Sequence, residues 1–162
     1  MKRMTGEALD ALGVEQMSQQ SIADFLASQG VGVLAFPTDD VPYVLPLSFG
    51  YDGDQRLYFT YVIGDTSRKA SLSSDGTRAS VLVYETKTPF HWRSVICEGT
   101  VREVPKSEWD THEEAMTDNA WHPDLFERAY NTERFLVYQF EIEDWSGLRH
   151  SGLPPEVKNS TS

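Results

Sequence analysis

Residues 43–62 read Tyr-Val-Leu-Pro-Leu-Ser-Phe-Gly-Tyr-Asp-Gly-Asp-Gln-Arg-Leu-Tyr-Phe-Thr-Tyr-Val, and this stretch decides the fold class. Two strand-like runs, Tyr43–Tyr51 and Arg56–Val62, flank Asp52-Gly53-Asp54. That triplet is a hairpin turn because Asp and Gly tolerate the positive φ a tight reversal needs. No helix fits between the runs, whereas a parallel sheet needs one between most of its strands. The two strands therefore pair antiparallel.

Reading towards the N-terminus, Val31–Phe36 is a short apolar strand closed by Pro37 and the turn Thr38-Asp39-Asp40. Before it, Ile22, Phe25 and Leu26 fall at i, i+3 and i+4, which predicts a helix over Ser18–Gln29 stopped by Gly30. Towards the C-terminus, Ser67–Ser74 reads as a short helix ended by Asp75-Gly76. Thr77–Glu85 is a mostly buried strand, and Trp92–Val104 is a long one in which Gly99 marks a bulge or bend. Lys106–Thr117 and Pro123–Tyr130 read as helices, and Arg134–Glu143 alternates as a last strand. Six strands with tight connections and helices inserted late predict a mainly β chain, a six-stranded antiparallel barrel with a few helices. Residues 1–17 are expected as a flexible arm, 18–150 as the domain and 151–162 as a disordered tail.

Composition narrows the function classes. The 162 residues suit one domain, and 40% hydrophobic with 12% aromatic residues is enough for a full core. Asp and Glu number 25 against 14 Lys and Arg, a formal charge of −11. Such a chain is repelled by phosphate backbones and anionic membranes, so neither nucleic acid nor membrane is an expected partner. One cysteine, Cys97, excludes an intrachain disulfide and a cysteine zinc cage, and reads as an inert core thiol in a reducing compartment. Apolar runs fall far short of the roughly 20 residues of a membrane helix, and no signal peptide is read at the N-terminus. The expected location is the cytoplasm.

Familiar catalytic signatures are missing. There is no Gly-rich phosphate loop and no Gly-x-Ser-x-Gly elbow, and His112-Glu113-Glu114-Ala115-Met116 lacks the second histidine of a zinc helix. His91, His112, His122 and His150 show no ligand spacing, so no metal is expected. One stretch stands out: after the strand Leu57–Tyr61 comes Ser67-Arg68-Lys69 at a helix start. Two adjacent cations, free backbone N–H groups and the helix dipole suit a phosphate.

These residues, in this order, resemble the FMN-binding split barrels related to pyridoxamine 5'-phosphate oxidase, over roughly residues 18–145. The matching runs are Pro42–Tyr51, Leu57-Tyr58-Phe59-Thr60, Ser67-Arg68-Lys69, Arg78–Tyr84 and Trp92-Arg93-Ser94-Val95 leading to Glu98-Gly99. The resemblance implies an FMN-binding split barrel in which Arg68 and Lys69, with Ser67, hold the phosphate. Phe59 and Thr60 would lie behind the isoalloxazine, with Ser94 beside it and Pro46 and Ser48 lining the cleft. It further implies a homodimer with the flavin at the interface, for whose second wall Trp92 and Trp145 are candidates. The chain departs from the oxidase itself: Lys106–Thr117 lacks a substrate-phosphate set, and Trp145–His150 only faintly echoes its C-terminal motif. Vitamin B6 oxidation is therefore disfavoured, and the Pro46–Tyr51 strand looks more like the small flavin-nucleotide-binding and nitroimidazole-reductase-like subgroup.

The implied activity is hydride or electron transfer between a reduced nicotinamide-type donor and a small planar acceptor, with no catalytic side chain named because the chemistry belongs to the flavin. Alternatives within the same barrel are deazaflavin F420 or haem, for which His91 or His150 would be the axial ligand. A non-enzymatic flavin carrier or sensor is the alternative from another class.

Overall fold

Ser18 starts the first helix. Its side chain accepts a hydrogen bond from the Ser21 N–H at 3.1 Å and so caps α1 (Gln19–Ser28). Ile22, Phe25 and Leu26 form the buried stripe of α1, as their spacing predicts. The computed structural model describes residues 11–62, 76–112, 115 and 135–152. The expected helices at 67–74 and 123–130 and the tail beyond Gly152 lie outside the described residues.

Eight strands are present among the described residues: β1 (Val14–Gln16), β2 (Val31–Phe36), β3 (Tyr43–Ser48), β4 (Gly50–Tyr51), β5 (Arg56–Val62), β6 (Thr77–Thr88), β7 (His91–Val104) and β8 (Phe135–Ser151). They form one antiparallel sheet in the order β3-β2-β6-β7-β8-β5-β4, with β1 added beside β8. Its two end strands, β3 and β4, are separated in sequence only by Phe49. Consecutive Cα atoms stand about 3.8 Å apart, so the ends of the sheet must meet and the sheet curls into a barrel. The predicted mainly β antiparallel split barrel is the observed architecture.

Three details differ from the six-strand reading. The expected strand Tyr43–Tyr51 divides at Phe49, where the chain passes from one end of the sheet to the other. Val14–Gln16, expected in a flexible arm, pairs antiparallel with the C-terminal part of β8 in the register Val14↔His150 to Gln16↔Leu148. The extra ladder comes from β8 itself, which runs on to Ser151 rather than ending at Glu143. Lys106–His112 is a 3-10 helix, and the rest of the predicted helix to Thr117 falls largely outside the described residues.

The hairpin turn behaves as its residues dictate. Gly53 has φ +84°, and the Asp52 carboxylate accepts from the N–H groups of Asp54 and Arg56 at 2.8 and 3.0 Å. Gly99 sits where the β7–β8 register shifts: Glu98 faces Asp144, Gly99 faces Ile142, and Glu143 is left as the extra residue. A Cβ at Gly99 would stand 1.9 Å from the Glu141 carbonyl oxygen, so only glycine fits.

Leu34, Phe36, Phe49, Leu57, Phe59, Val81, Val83, Val95, Cys97 and Phe140 fill the barrel, and α1 closes it with Ile22, Phe25 and Leu26. Each large apolar side chain fully buried there contributes about 1.5–3 kcal/mol. Cys97 is part of this core, and burial pushes its thiol up to about 12. A second, smaller cluster of Tyr58, Val104 and Val137 lies on the other side of the sheet under Trp109 and Ala115.

Candidate functional site

Alternation along β6 and β7 sends every second side chain outward. On β6 the buried Ala79, Val81 and Val83 face the core, so Ser80, Leu82 and Tyr84 face out. Their register partners on β7 are Glu98, Ile96 and Ser94, and Thr86 faces Trp92. Trp92 and Ser94, two of the residues implied as flavin contacts, are thus neighbours on one face. With Leu82, Tyr84, Thr86 and Arg93 they line an open groove of about 400 Å³. Leu82 and Tyr84 were not read as site residues, although the β6 alternation and its hairpin with β7 carry that signal.

The groove opens onto an apolar sheet surface. Val33 pairs with both Leu82 and Pro46, which puts Pro46 on the same outward face as Leu82. From Pro46 to the β7 row is three strand spacings, about 14 Å. Pro46 is exposed, whereas Ser48 is buried at the end of β3, beside Val31. Val31, Val44, Tyr84 and Ile96 are 62%, 56%, 55% and 48% exposed, an unusual amount of large apolar area on a sheet face.

The groove's cation is already engaged. Arg93 donates from Nη2 to Glu85 Oε1 at 3.1 Å, and its guanidinium lies over the Phe25 ring at 4.6 Å. This contact holds the Glu85 carboxyl below its ordinary value. Behind Trp92 the ring of His150 is buried, 6.1 Å from Trp92 and 5.9 Å from Phe90 between ring centroids.

Thr60 and Phe59 lie elsewhere. Phe59 points inward and packs beside Tyr138, so its side chain serves the core. Thr60 is half-buried on β5 opposite Val137, on the side where Tyr58 is covered by the 3-10 helix. There the Tyr58 hydroxyl lies 3.0 Å from His112 Nδ1 with the two rings stacked, and burial raises the Tyr58 phenol above its ordinary value. Ser67, Arg68 and Lys69 lie outside the described residues.

Trp145 is on the opposite face from Trp92. It pairs with Cys97 and packs against the core, and its indole N–H donates to Gln19 Oε1. It walls a separate cleft of about 480 Å³ between α1, the Gly53 turn and the Ile142–Trp145 segment. Within one chain, then, Trp92, Ser94 and Pro46 share a face, and Trp145 does not join them.

The histidines named for haem differ in fit. His150 does not suit an axial ligand: its ring is buried and its Nδ1 accepts from the Gly152 N–H at 3.3 Å. His91 is exposed at the head of β7, outside both clefts. No helix among the described residues is long and apolar enough to cross a membrane.

With this geometry in place, comparison with known proteins is direct. The family profile described as pyridoxamine 5'-phosphate oxidase matches residues 18–149. An uncharacterised protein from Rhizobium meliloti (strain 1021) is 27% identical over 100 residues, which is 62% of this chain and 64% of that protein. The chain thus spans just under two thirds of that curated relative. Among solved structures, a FAD-binding protein from Mesorhizobium loti is similar at 27% identity and a TM-score of 0.65, over 85% of this chain and 99% of the other. The FAD and heme binding protein from Mycobacterium smegmatis is similar in fold at 20% identity and a TM-score of 0.69, over 91% and 80% of the two chains.

Proposed function

As the chain belongs to the pyridoxamine 5'-phosphate oxidase family, we propose that it is a cytoplasmic flavoprotein that binds FMN in the outer groove. It transfers hydride or electrons between a reduced nicotinamide-type donor and a small planar acceptor. Ser67, Arg68 and Lys69 hold the phosphate, which FMN shares with the proximal half of FAD. Thr60 and Phe59, which lie apart from this groove within one chain, meet the ring from β5 of the second protomer, through the Thr60 hydroxyl and the Phe59 backbone. Ser94 offers a hydroxyl to the ring's polar edge, and Trp92 with Tyr84 walls the groove. Pro46 and Ser48 extend the same face from β3, while Trp145 is left out of the assignment. The flavin supplies the redox chemistry, and the protein supplies binding, orientation and exclusion of water.

The observation that carries this reading is the meeting of Trp92 and Ser94 in one groove on an exposed apolar sheet face. The FAD-binding relative from Mesorhizobium loti supports a flavin rather than another planar cofactor. The test is the absorbance spectrum of the purified chain, followed by chromatography of the cofactor released on denaturation. FMN is expected. Released FAD would reassign the nucleotide, and a Soret band or failure to take up any flavin would overturn the reading. Anaerobic bleaching by NADH or NADPH then separates an oxidoreductase from a passive carrier.

The same face is proposed as the interface of a C2 homodimer with the flavin between protomers. Exposed Val31, Val44, Tyr84 and Ile96 need cover, and a stable interface buries more than about 1,200 Å² in total. A monomeric mass by light scattering at micromolar concentration would remove the shared site.

A further inference from the structure

Resting on the flavin reading of the outer groove, we propose that His150 is a positioning residue for the cofactor. It does not line the groove; it fixes the Trp92 ring that does. In register, Trp92 stands directly opposite His150 and His150 opposite Val14, so the three side chains form one row on the outer face. His150 is 6% exposed, a buried histidine for which neither the core nor the flavin chemistry has a use.

Contacts on three sides fix the imidazole. The Gly152 N–H donates to Nδ1 at 3.3 Å, so Nδ1 is an acceptor, the ring proton sits on Nε2 and the ring is uncharged. Phe90 leans on it at 5.9 Å between centroids with a 56° tilt, and Trp92 at 6.1 Å with a 44° tilt. Phe90 is itself held at the β6–β7 turn, where its N–H donates to Thr88 Oγ1 at 3.1 Å.

The strand that carries His150 is clamped from its other side. The Glu15–Arg149 ion pair spans 2.9 Å, and the Met17 N–H donates to the Gly147 carbonyl oxygen at 2.8 Å. Gly13, at φ +78°, brings the turn before β1 so close that a Cβ there would lie 3.2 Å from the Gly152 carbonyl oxygen. Among the described residues, His150 is the ring that contacts Trp92. The partner of Trp92 on β6 is Thr86, too short to hold an indole. The tilt of the groove wall is therefore set by an imidazole tied to the main chain, and a wall held in place before the ligand arrives binds a flat ring more tightly.

The experiment is a double-mutant cycle on FMN binding by the full chain. His150→Phe keeps an aromatic ring and removes the acceptor, and FMN affinity is expected to fall about fivefold. Trp92→Ala is expected to cost about tenfold, and the two together no more than Trp92→Ala alone, because His150 acts only through the indole. His150→Asn, whose Oδ1 can stand where Nδ1 does, keeps the Gly152 contact but not the ring, and its effect should likewise vanish without Trp92. The indole N–H resonances of the chain without flavin give a second readout. That of Trp92 is expected to shift in His150→Phe, while that of Trp109, tied to the Val104 carbonyl oxygen, stays. Unchanged FMN affinity in both histidine variants, losses that simply add in the double variants, or a Trp92 resonance indifferent to His150 would each overturn the proposal. A chain that takes up no FMN while its Trp92 resonance still follows His150 would instead overturn the flavin reading, and the cofactor role with it.

Discussion

Trp92 and Trp145 stand on neighbouring strands yet serve opposite faces of the sheet. Trp92 lies in an open groove with Leu82 and Tyr84, next to the exposed Ile96. Trp145 lies in a cleft between α1 and the Gly53 turn, with its indole N–H tied to Gln19 and the Tyr51 hydroxyl to the Asp54 carbonyl oxygen. One surface suits a flat ring and a second apolar face, and the other is a cleft set against the start of α1. The difference originates in a single extra residue. Before Glu143 the inward residues of β8 are Tyr138, Phe140 and Ile142; after it they are Trp145 and Gly147. The register shift reverses the parity of the strand, and with it the face on which each later side chain stands.

The sharpest way to separate the two surfaces is the phosphate clamp. Arg68→Ala with Lys69→Ala should remove two charge-assisted contacts of about 1.5–3 kcal/mol each, so FMN binding falls by about two to four decades. Riboflavin binding should hardly change, as fluorescence titration would reveal. Equal losses for FMN and riboflavin would dissolve the distinction between a clamp and general damage.

Gly99→Ala attacks the feature that makes the faces different. The new Cβ meets the Glu141 carbonyl, and the main chain must move. A loss of about 3 kcal/mol or more is expected in denaturant unfolding, with both clefts affected together. A stable Gly99→Ala protein with one cleft intact would show that the shift does not couple them.

Ile96→Lys tests the outer face alone. It puts a charge in the middle of the proposed interface and forfeits about 1.5–3 kcal/mol of apolar burial, so the dimer should dissociate in light scattering while the monomer keeps its melting temperature. Dimers as strong as before would move the interface elsewhere.

The smallest effect concerns the Arg93–Glu85 pair, which joins the β6–β7 groove to α1 through Phe25 and Gln29. Arg93 holds the Glu85 carboxyl below its ordinary 4.5. A carboxylate with a depressed folded value contributes stability above its unfolded value and loses it as pH falls through the folded one. Stability should therefore decline below about pH 4.5, and Arg93→Gln should flatten that part of the profile slightly in thermal melts. An unchanged acid limb would mean that the contact is too solvated to matter.

Legibility followed the range of the interactions involved. α1 was readable because Ile22, Phe25 and Leu26 repeat at helical spacing beside a serine cap. β2 and β5 match their predicted spans because their neighbours in sequence are turn residues. β8 was read short because Glu143-Asp144-Trp145-Ser146-Gly147 breaks simple alternation; its continuation is held by pairing with β7 on one side and β1 on the other. Trp92 and Ser94 could be grouped from sequence because they sit two apart on one strand. Their companions Leu82 and Tyr84 required the β6–β7 register.

The sequence by itself determined that the chain is an antiparallel, mainly β protein, that Asp52–Asp54 turns back on itself, and that Gly99 interrupts a long strand. Each of these depends on φ preferences and alternation within a few residues. Only the tertiary structure decided that β3 and β4 close the sheet from its two ends, and that Trp145 faces away from Trp92. Those outcomes rest on which strands pair and in what register. A single residue without a cross-strand partner, Glu143, reverses a face, and no local pattern records what lies opposite it.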